Sequence, residues 1–477
     1  MASAKQKFYK WHRIIGLTAL IPVICWTLSG LSHPFMSNWF RPSIAQEVYK
    51  APAIGEMSFG LSLQQMLHKN GINQFRNFGI VKFNNQCYYQ VLGKDSTLNY
   101  YEANTGNLLT GGDKLYATYL ARYFTQDSSS AIKSITLQKQ FDSGYQPINH
   151  LLPVWKVSFD NARGMDVYVE TSQSRMGTFN NNTRKVMLKV FEQLHTWQFL
   201  ASIGGEQFRI IVLLTVVSIL FMALLSGLVV YGFFWKQFKA VTEKRKEHGR
   251  EDKRFVHRFH RQWGLIVSFV MFTFLFSGAF HLYVKLHNNN PAHKSYTQLI
   301  NSEDLKLSSL QIPVTDSTVK KIGIVIFNHK PYYQVTNNQK NVLYFDSATG
   351  DELKDGDVLY AQSLADFYHS DKSAVPNATV TQIRQFDNEY GFINKRLPVQ
   401  KVAYANGENW YIETTTAQLA TKVGGLDRTE GFSFIILHKY FGMTWAGKNA
   451  RDIVSMLAAL GVLVVSLFGF AAFIKDK

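Results

Sequence analysis

The stretch that decides the fold runs from His12 to His33, HRIIGLTALIPVICWTLSGLSH, and returns without a gap from His260 to His281 as HRQWGLIVSFVMFTFLFSGAFH. Each copy is an apolar run closed at both ends by histidine. Along an α-helix, 21 residues rise about 31 Å, close to the roughly 30 Å hydrocarbon core of a bilayer, and return within about 60° of the starting azimuth. The two histidines of each copy are therefore expected near opposite membrane faces, on roughly one side of their helix.

Outward from these copies, four apolar runs are long enough to span, near Ile14–Leu31, Ile210–Trp235, Gly264–Tyr283 and Ile453–Ile474. The first is too long for the 7–15-residue core of a signal peptide and has no small-residue cleavage site. Net charge is +17, and much of it lies in Lys236–Arg261, which carries ten Lys/Arg against four Asp/Glu. Lys5, Lys7, Lys10 and Arg13 add to it at the N-terminus, and Lys475 and Lys477 at the C-terminus. Basic loops stay cytoplasmic. Both termini and the middle linker are thus expected inside, and the two long polar stretches outside. The charge then reads as a topology signal with membrane-lipid contact, and nucleic acid is not an expected partner.

Beyond the spans the halves continue to match at an offset of about 242 to 248. FGIVKFNNQCYYQV (from Phe78) answers IGIVIFNHKPYYQV (from Ile322), LPVWKVSF (from Leu152) answers LPVQKVAY (from Leu397), and DVYVET answers NWYIET. Each unit reads span, external domain, pre-span helix, span, entering the membrane in the same direction. A parallel duplication with a pseudo-two-fold axis along the membrane normal is expected. Gly16, Gly30, Gly227, Gly264, Gly278 and Gly469 are candidates to line the helix contacts. The external segments alternate short β-branched runs with Asn- and Gly-rich turns and helical patterns, an α+β reading.

Three pairs of histidines recur at matched places: His12 and His260, His33 and His281, His195 and His438. The other eight, among them His257, which matches Tyr9 and reads as a solvated linker residue, have no such counterpart. A single histidine at a membrane border is ordinarily an interfacial side chain; duplicated ones are what haem ligation would produce. Two neutral imidazoles give a six-coordinate haem suited to electron transfer. The two cysteines, Cys25 and Cys87, lie in different regions, and no CxxCH or ferredoxin spacing occurs, so the expected haem is b-type. Arg13 and Arg261 follow the inner histidines and suit haem propionates; Trp26, Phe276 and Phe280 are candidates to wall the slot. Two pairings remain open: His12 with His260 inside and His33 with His281 outside, or His33 with His438 and His281 with His195 near the outer face. No nucleophile–base pair or phosphate loop is evident, and no catalytic residue is assigned.

WHRxxGL opening span one, SGLSH closing it, the duplicated GIV…YYQV…ATG…G modules and the pre-span LH together resemble the PepSY-associated transmembrane proteins over nearly the full chain. Within that group the chain is similar to inner-membrane ferrisiderophore reductases and other iron-regulated membrane proteins. The resemblance implies b-type haem, two in number, held by His12, His33, His195, His260, His281 and His438. It also implies a bacterial inner-membrane location with periplasmic domains, and a ferric siderophore or other ferric chelate as electron acceptor. Several relatives carry a cytoplasmic flavin-reductase domain; the inner linker here is far too short for one. Quinol or a separate cytoplasmic reductase is the implied donor.

The expected fold is a membrane protein of four core transmembrane helices from a parallel internal duplication, with two α+β PepSY-like extracytoplasmic domains. The expected divisions are span one at 1–36, a periplasmic domain at 37–190, pre-span helix and span two at 191–235, and a basic linker at 236–256. Span three follows at 257–287, a second periplasmic domain at 288–430, and pre-span helix and span four at 431–477. The expected activity is haem-dependent ferric-chelate reduction. Competing readings are haem electron transfer to another acceptor, such as copper or a periplasmic redox partner, and a non-redox sensor or interaction protein.

Overall fold

The computed structural model describes residues 4–42, 44, 52, 54, 59–248, 255–287, 296–305, 319–369 and 378–475. Residues 249–254 of the basic linker, His293 and the terminal Asp476 and Lys477 lie outside them. In chain order the helices are α1 (Ala4–Pro34), α2 (Leu63–Lys69), α3 (Gly112–Thr125), α4 (Asn182–Leu194), α5 (Phe199–His248), α6 (Phe255–His287), α7 (Gly356–Tyr368), α8 (Gly425–Ser433) and α9 (Gly447–Lys475). The strands of the first half are β1 (Gln74–Phe75), β2 (Asn77–Phe83), β3 (Gln86–Leu92), β4 (Leu98–Glu102), β5 (Ala131–Gln138), β6 (Val154–Asp160), β7 (Asp166–Glu170) and β8 (Arg175–Asn180). Those of the second are β9 (Ile300–Asn301), β10 (Val319–Phe327), β11 (Lys330–Asn337), β12 (Val342–Asp346), β13 (Thr379–Ile383), β14 (Val399–Ala403), β15 (Asn409–Glu413) and β16 (Gln418–Val423).

The chain falls into two compact units, one made of 1–41, 183–290 and 426–477, the other of 42–182 and 291–425. In the first, α1 and α6 each pack against both α5 and α9, so the four long helices form a ring with α1 and α6 at opposite corners. Ala19, Val23, Val217, Leu220, Val267, Leu275 and Val462 fill its centre. The apolar windows of these helices bury only 17–39% of their residues, and Ile21, Phe269 and Leu457 face outward. Apolar surface of that extent on four helices of 33 to 42 residues is what a bilayer, not water, accommodates. The protein is a membrane protein. Helix α5 continues to His248, so much of the stretch expected as a linker is helical. His257, expected to be a solvated linker residue, sits half-buried in the first turn of α6.

The candidate contact glycines divide. A Cβ on Gly30 would sit 3.9 Å from Ala459 and one on Gly264 3.7 Å from Val465, ordinary helix–helix contact. Among the described residues nothing lies within 4 Å of that position at Gly16 or Gly278, so neither mediates a close approach. Gly227 and Gly469 serve a different purpose, set out below.

The second unit holds two modules with the same order of elements. A three-stranded antiparallel meander (β2-β3-β4, then β10-β11-β12) is followed by a helix (α3, then α7) and a four-stranded meander (β5 to β8, then β13 to β16). Alternation drives each: the inward residues Val157, Val167 and Val169 pack under Tyr116, Leu120 and Phe124 of α3, while Val402, Trp410 and Ile412 pack under Tyr360 and Leu364 of α7. A polar relay repeats as well. Gln90 donates to the Tyr100 hydroxyl at 2.6 Å, which donates to Asp113 at 2.9 Å; Gln334, Tyr344 and Asp357 do the same at 2.6 and 2.9 Å.

The two modules share a core. Phe75, Phe78, Ile80 and Tyr89 pack with Ile300, Ile322, Ile324 and Tyr333. Strand β1 pairs with β9, and β2 approaches β10 so closely that a Cβ on Gly79 or Gly323 would lie 3.5 Å from the carbonyl oxygen of Ile322 or Phe78. A buried ionic cluster completes the junction. Arg175 bridges Glu170 and Glu413, with Nη1 to Glu413 Oε1 at 2.6 Å, and Arg396 reaches Glu413 Oε2 at 2.6 Å. Lys321 stands beside them and donates to the Ser172 carbonyl at 3.1 Å.

Candidate functional site

The matched histidines occupy the first unit, and the ring of helices explains how they meet. His12 on α1 and His260 on α6 come from opposite corners, and their ring centroids lie 6.3 Å apart at an interplanar angle of 32°. Each is seated over a glycine of the second span of its own half. A Cβ on Gly227 would be 2.9 Å from His12 Cε1, and one on Gly469 2.8 Å from His260 Cε1. These glycines make room for imidazoles.

The other four matched histidines form a second cluster. His195 follows α4, and His438 closes a π-helical turn, Phe434–His438, after α8. Each stacks on the phenylalanine four residues before it, His195 on Phe191 at 4.5 Å and His438 on Phe434 at 4.7 Å. The same phenylalanines touch the span-end histidines, Phe191 with His33 at 5.7 Å and Phe434 with His281 at 5.0 Å. His195 and His438 face one another at 6.4 Å, near perpendicular. Of the pairings left open by the sequence, His12 with His260 is brought together; His33 and His281 each rest on a phenylalanine of their own half.

Hydrogen bonds orient the imidazoles. Ser29 Oγ on α1 lies 2.9 Å from His195 Nδ1 and 3.0 Å from the Trp26 carbonyl, which can take the hydroxyl proton and leave the imidazole to donate. Ser277 Oγ on α6 stands likewise between His438 Nδ1 at 3.1 Å and the Thr273 carbonyl at 2.7 Å. Ser226 Oγ on α5 stands between His12 Nδ1 at 3.1 Å and the Ala223 carbonyl at 2.9 Å. His260 Nδ1 donates to the Val465 carbonyl at 2.9 Å, and His281 Nδ1 to Glu430 at 2.7 Å. His33 Nδ1 lies 3.5 Å from Ser37 Oγ. His260 and His281 thus carry their proton on Nδ1 and present an Nε2 lone pair, and a serine beside Nδ1 can hold His12, His195 and His438 the same way. A metal-ligating imidazole is held this way, its other nitrogen fixed by an acceptor.

Further residues brace this four-histidine cluster. Trp26 Nε1 donates to the His195 carbonyl at 3.0 Å. The chain then turns through left-handed backbone at Trp197, and at the matching Tyr440 in the other half. Arg209, buried and paired with Glu206, donates to the Thr196 carbonyl at 2.6 Å and pins the first of these turns. Sequence reasoning did not single out Ser29, Ser226, Ser277, Arg209 or Glu430. The Ser-Gly retained at 29–30 and 277–278 was the available signal for two of them.

The two candidate arginines lie against aromatic rings, Arg13 over Phe473 at 4.9 Å and Arg261 over Phe238 at 4.1 Å. Phe276 is 45% exposed in a ladder with Phe272 and Phe280. Trp26 is the proposed slot residue that touches the histidine cluster.

Among the described residues no three His, Cys, Asp or Glu side chains converge on one point. His12 with His260, and His195 with His438, are the imidazole pairs that would hold a haem iron, which would supply a one-electron couple. The donor set fits haem. No curated protein matches the chain. The family described as the PepSY-associated TM region matches residues 105–476, most of the chain, and the protein belongs to that family.

Proposed function

We propose that the protein is a b-type haem oxidoreductase of the bacterial inner membrane that delivers electrons to a ferric siderophore or other ferric chelate in the periplasm. The observation that carries this reading is the set of duplicated histidines whose Nδ1 atoms are hydrogen-bonded to groups able to accept a proton, leaving Nε2 for a metal. His12 and His260 would hold one haem, and the outer cluster of His33, His195, His281 and His438 the other. Bound haem supplies a one-electron Fe(III)/Fe(II) couple. The residues of the chain do the rest: serine and carbonyl acceptors keep Nε2 unprotonated and aimed, and stacked Phe191 and Phe434 limit ring rotation.

One electron reduces one ferric ion, so a quinol or a separate cytoplasmic reductase must supply one electron for each iron released. Release follows because hard siderophore oxygens favour Fe(III) over softer Fe(II). The basic segments support a topology with both termini inside and the modules outside. The matched order of elements, the repeated Gln–Tyr–Asp relay and the matched glycines under His12 and His260 support descent from a parallel duplication.

The test is a redox difference spectrum of the purified protein, followed by addition of a ferric siderophore to the dithionite-reduced form without oxygen. A b-type spectrum that reoxidises promptly is expected. Absence of the spectrum would sink the haem reading; a spectrum indifferent to ferric chelates would redirect it to another periplasmic acceptor.

A further inference from the structure

The two halves differ in charge where their second spans begin. In the first, Glu206 gathers the cations: Arg209 Nε donates to it at 2.9 Å and Lys285 Nζ lies 2.8 Å away. The residue matching Glu206 in the second half is Lys448, and Thr196, next to His195, is answered by Lys439, next to His438. Arg451 keeps the place of Arg209. A carboxylate that satisfies two cations on one side is replaced by a cation on the other.

The cations of the second half are held in place. Lys448 Nζ donates to the Ser37 carbonyl at 3.1 Å, and Arg451 lies over Phe441 at 4.0 Å. Lys439 Nζ stands 5.3 Å from the centroid of Phe434. The nearby carboxylates are engaged. Asp452 accepts from Asn38 Nδ2 at 2.9 Å and lies 3.9 Å from Arg451 Nε, while Glu430 accepts from His281. Arg41 adds a further positive charge beside Lys448. Lys439 and Lys448 are exposed, and among the described residues neither has a carboxylate within ion-pair distance.

This patch borders the histidine cluster. Lys439, Lys448 and Asp452 are near enough for their charges to act on His33. Phe434, under Lys439, stacks on His438 at 4.7 Å and touches His281 at 5.0 Å. An anion seated on Lys439 is therefore one aromatic ring away from an imidazole assigned to haem. Like charges gathered with too few carboxylates repel, and a multiply charged anion relieves that repulsion while being attracted by each of them.

We propose that Lys439, Lys448 and Arg451 form the docking site for the ferric chelate, and that this site selects chelates of net negative charge, such as hydroxycarboxylate complexes, over cationic ones. The proposal names the substrate class of the functional reading above and rests on it. Charge complementarity of this kind steers the right partner in and turns the wrong one away.

The experiment is a calorimetric titration of the full-length, detergent-purified protein with gallium(III) citrate. This anionic complex carries an ion that takes the place of Fe(III) but accepts no electron, so binding is read apart from electron transfer. Gallium(III) ferrioxamine B, which carries a net positive charge, is the control. The citrate complex should bind, more weakly as salt rises because exposed charges are screened, and the control should not. Lys448→Glu restores the residue of the first half and should weaken binding by about tenfold or more. Lys439→Gln removes one charge, should weaken binding less, and decides the matter if Lys448→Glu does not fold. Unchanged affinity in both variants, or equal binding of the cationic complex, overturns the proposal. Full displacement of gallium citrate by phosphatidylglycerol in mixed micelles assigns the patch to lipid headgroups and overturns it too. A wild-type protein that binds gallium citrate but shows no b-type spectrum overturns the functional reading while the anion site stands.

Discussion

Ser29 holds His195 across 166 residues of sequence, its hydroxyl oxygen 2.9 Å from Nδ1 and 3.0 Å from the Trp26 carbonyl that can take its proton. Ser277 does the same for His438. Ser29→Ala removes the acceptor and frees the ring to turn or to move its proton to Nε2. Losses of this kind weaken metal binding about 10- to 100-fold. Haem titration of the apoprotein should show that weakening with unchanged far-ultraviolet dichroism, and Ser29→Thr should restore most of it. Undiminished affinity in Ser29→Ala would refute the tautomer assignment.

Gly227→Ala sets two effects against each other. Alanine improves an α-helix by about 1 kcal/mol over glycine, but its Cβ would lie 2.9 Å from His12 Cε1. That contact is too short to keep, so the imidazole must move. The helix should form as well as before, with thermal stability equal or higher, while the optical contribution of the inner haem is lost. Gly469→Ala should behave alike through His260. A haem-to-protein ratio equal to that of the wild type would count against the inner site.

Glu413→Gln strikes the junction between the modules. It leaves Arg175 and Arg396 buried with one carboxylate, Glu170, among them. Breaking a buried pair by removing one partner costs about 3–5 kcal/mol, so the module unit should melt markedly earlier while the haem spectrum stays as it was. Burial opposes ionisation of Glu413, but Arg175 and Arg396 hold its carboxyl well below the usual carboxylate range. Its contribution is therefore present above the unfolded value of about 4.3 and fades as pH falls below it. Melting curves from pH 6 down to pH 3 should slope for the wild type and be flatter for the variant.

Lys321 also makes stability rise with pH, but because its charged form is the destabilising one. Burial, with Arg175 adding to it and Glu413 and Glu170 opposing, lowers its ammonium to about 8. Between that value and an unfolded value of about 10.4 the unfolded chain binds more protons, so stability rises with pH across the window. Lys321→Met should stabilise the modules at pH 7, and its advantage should shrink toward pH 10. Thermal melting at pH 7, 8, 9 and 10 checks this; a constant difference between the proteins would contradict it.

Much of the membrane unit was legible because periodicity and duplication are properties of sequence: the spans and the three histidine pairs needed no coordinates. What escaped was what depends on neighbours far along the chain. Gly227 and Gly469 stood out as small residues for helix contact, yet they seat His12 and His260. His12 Nδ1 meets a side chain, Ser226, whereas His260 gives its proton to a main-chain carbonyl, that of Val465, so matching residue against residue cannot find the second partner. Glu430 was hidden because its counterpart is Met187. The common core of the modules rests on edges meeting, β1 on β9 and β2 beside β10, which patterns of alternation do not encode.

The opposite-corner placement of α1 and α6 bears on the order of events during synthesis. The imidazole pairs at 6.3 and 6.4 Å, His12 with His260 and His195 with His438, each take one member from either half of the chain. A nascent protein halted after α5 has made His12 and His195 but neither facing partner. The inner pair exists once α6 begins, and the outer one only when the segment just before α9 has emerged. A ligand gripped between those rings is therefore captured late and clasps the first half of the chain to the second, making its retention a readout of completed assembly.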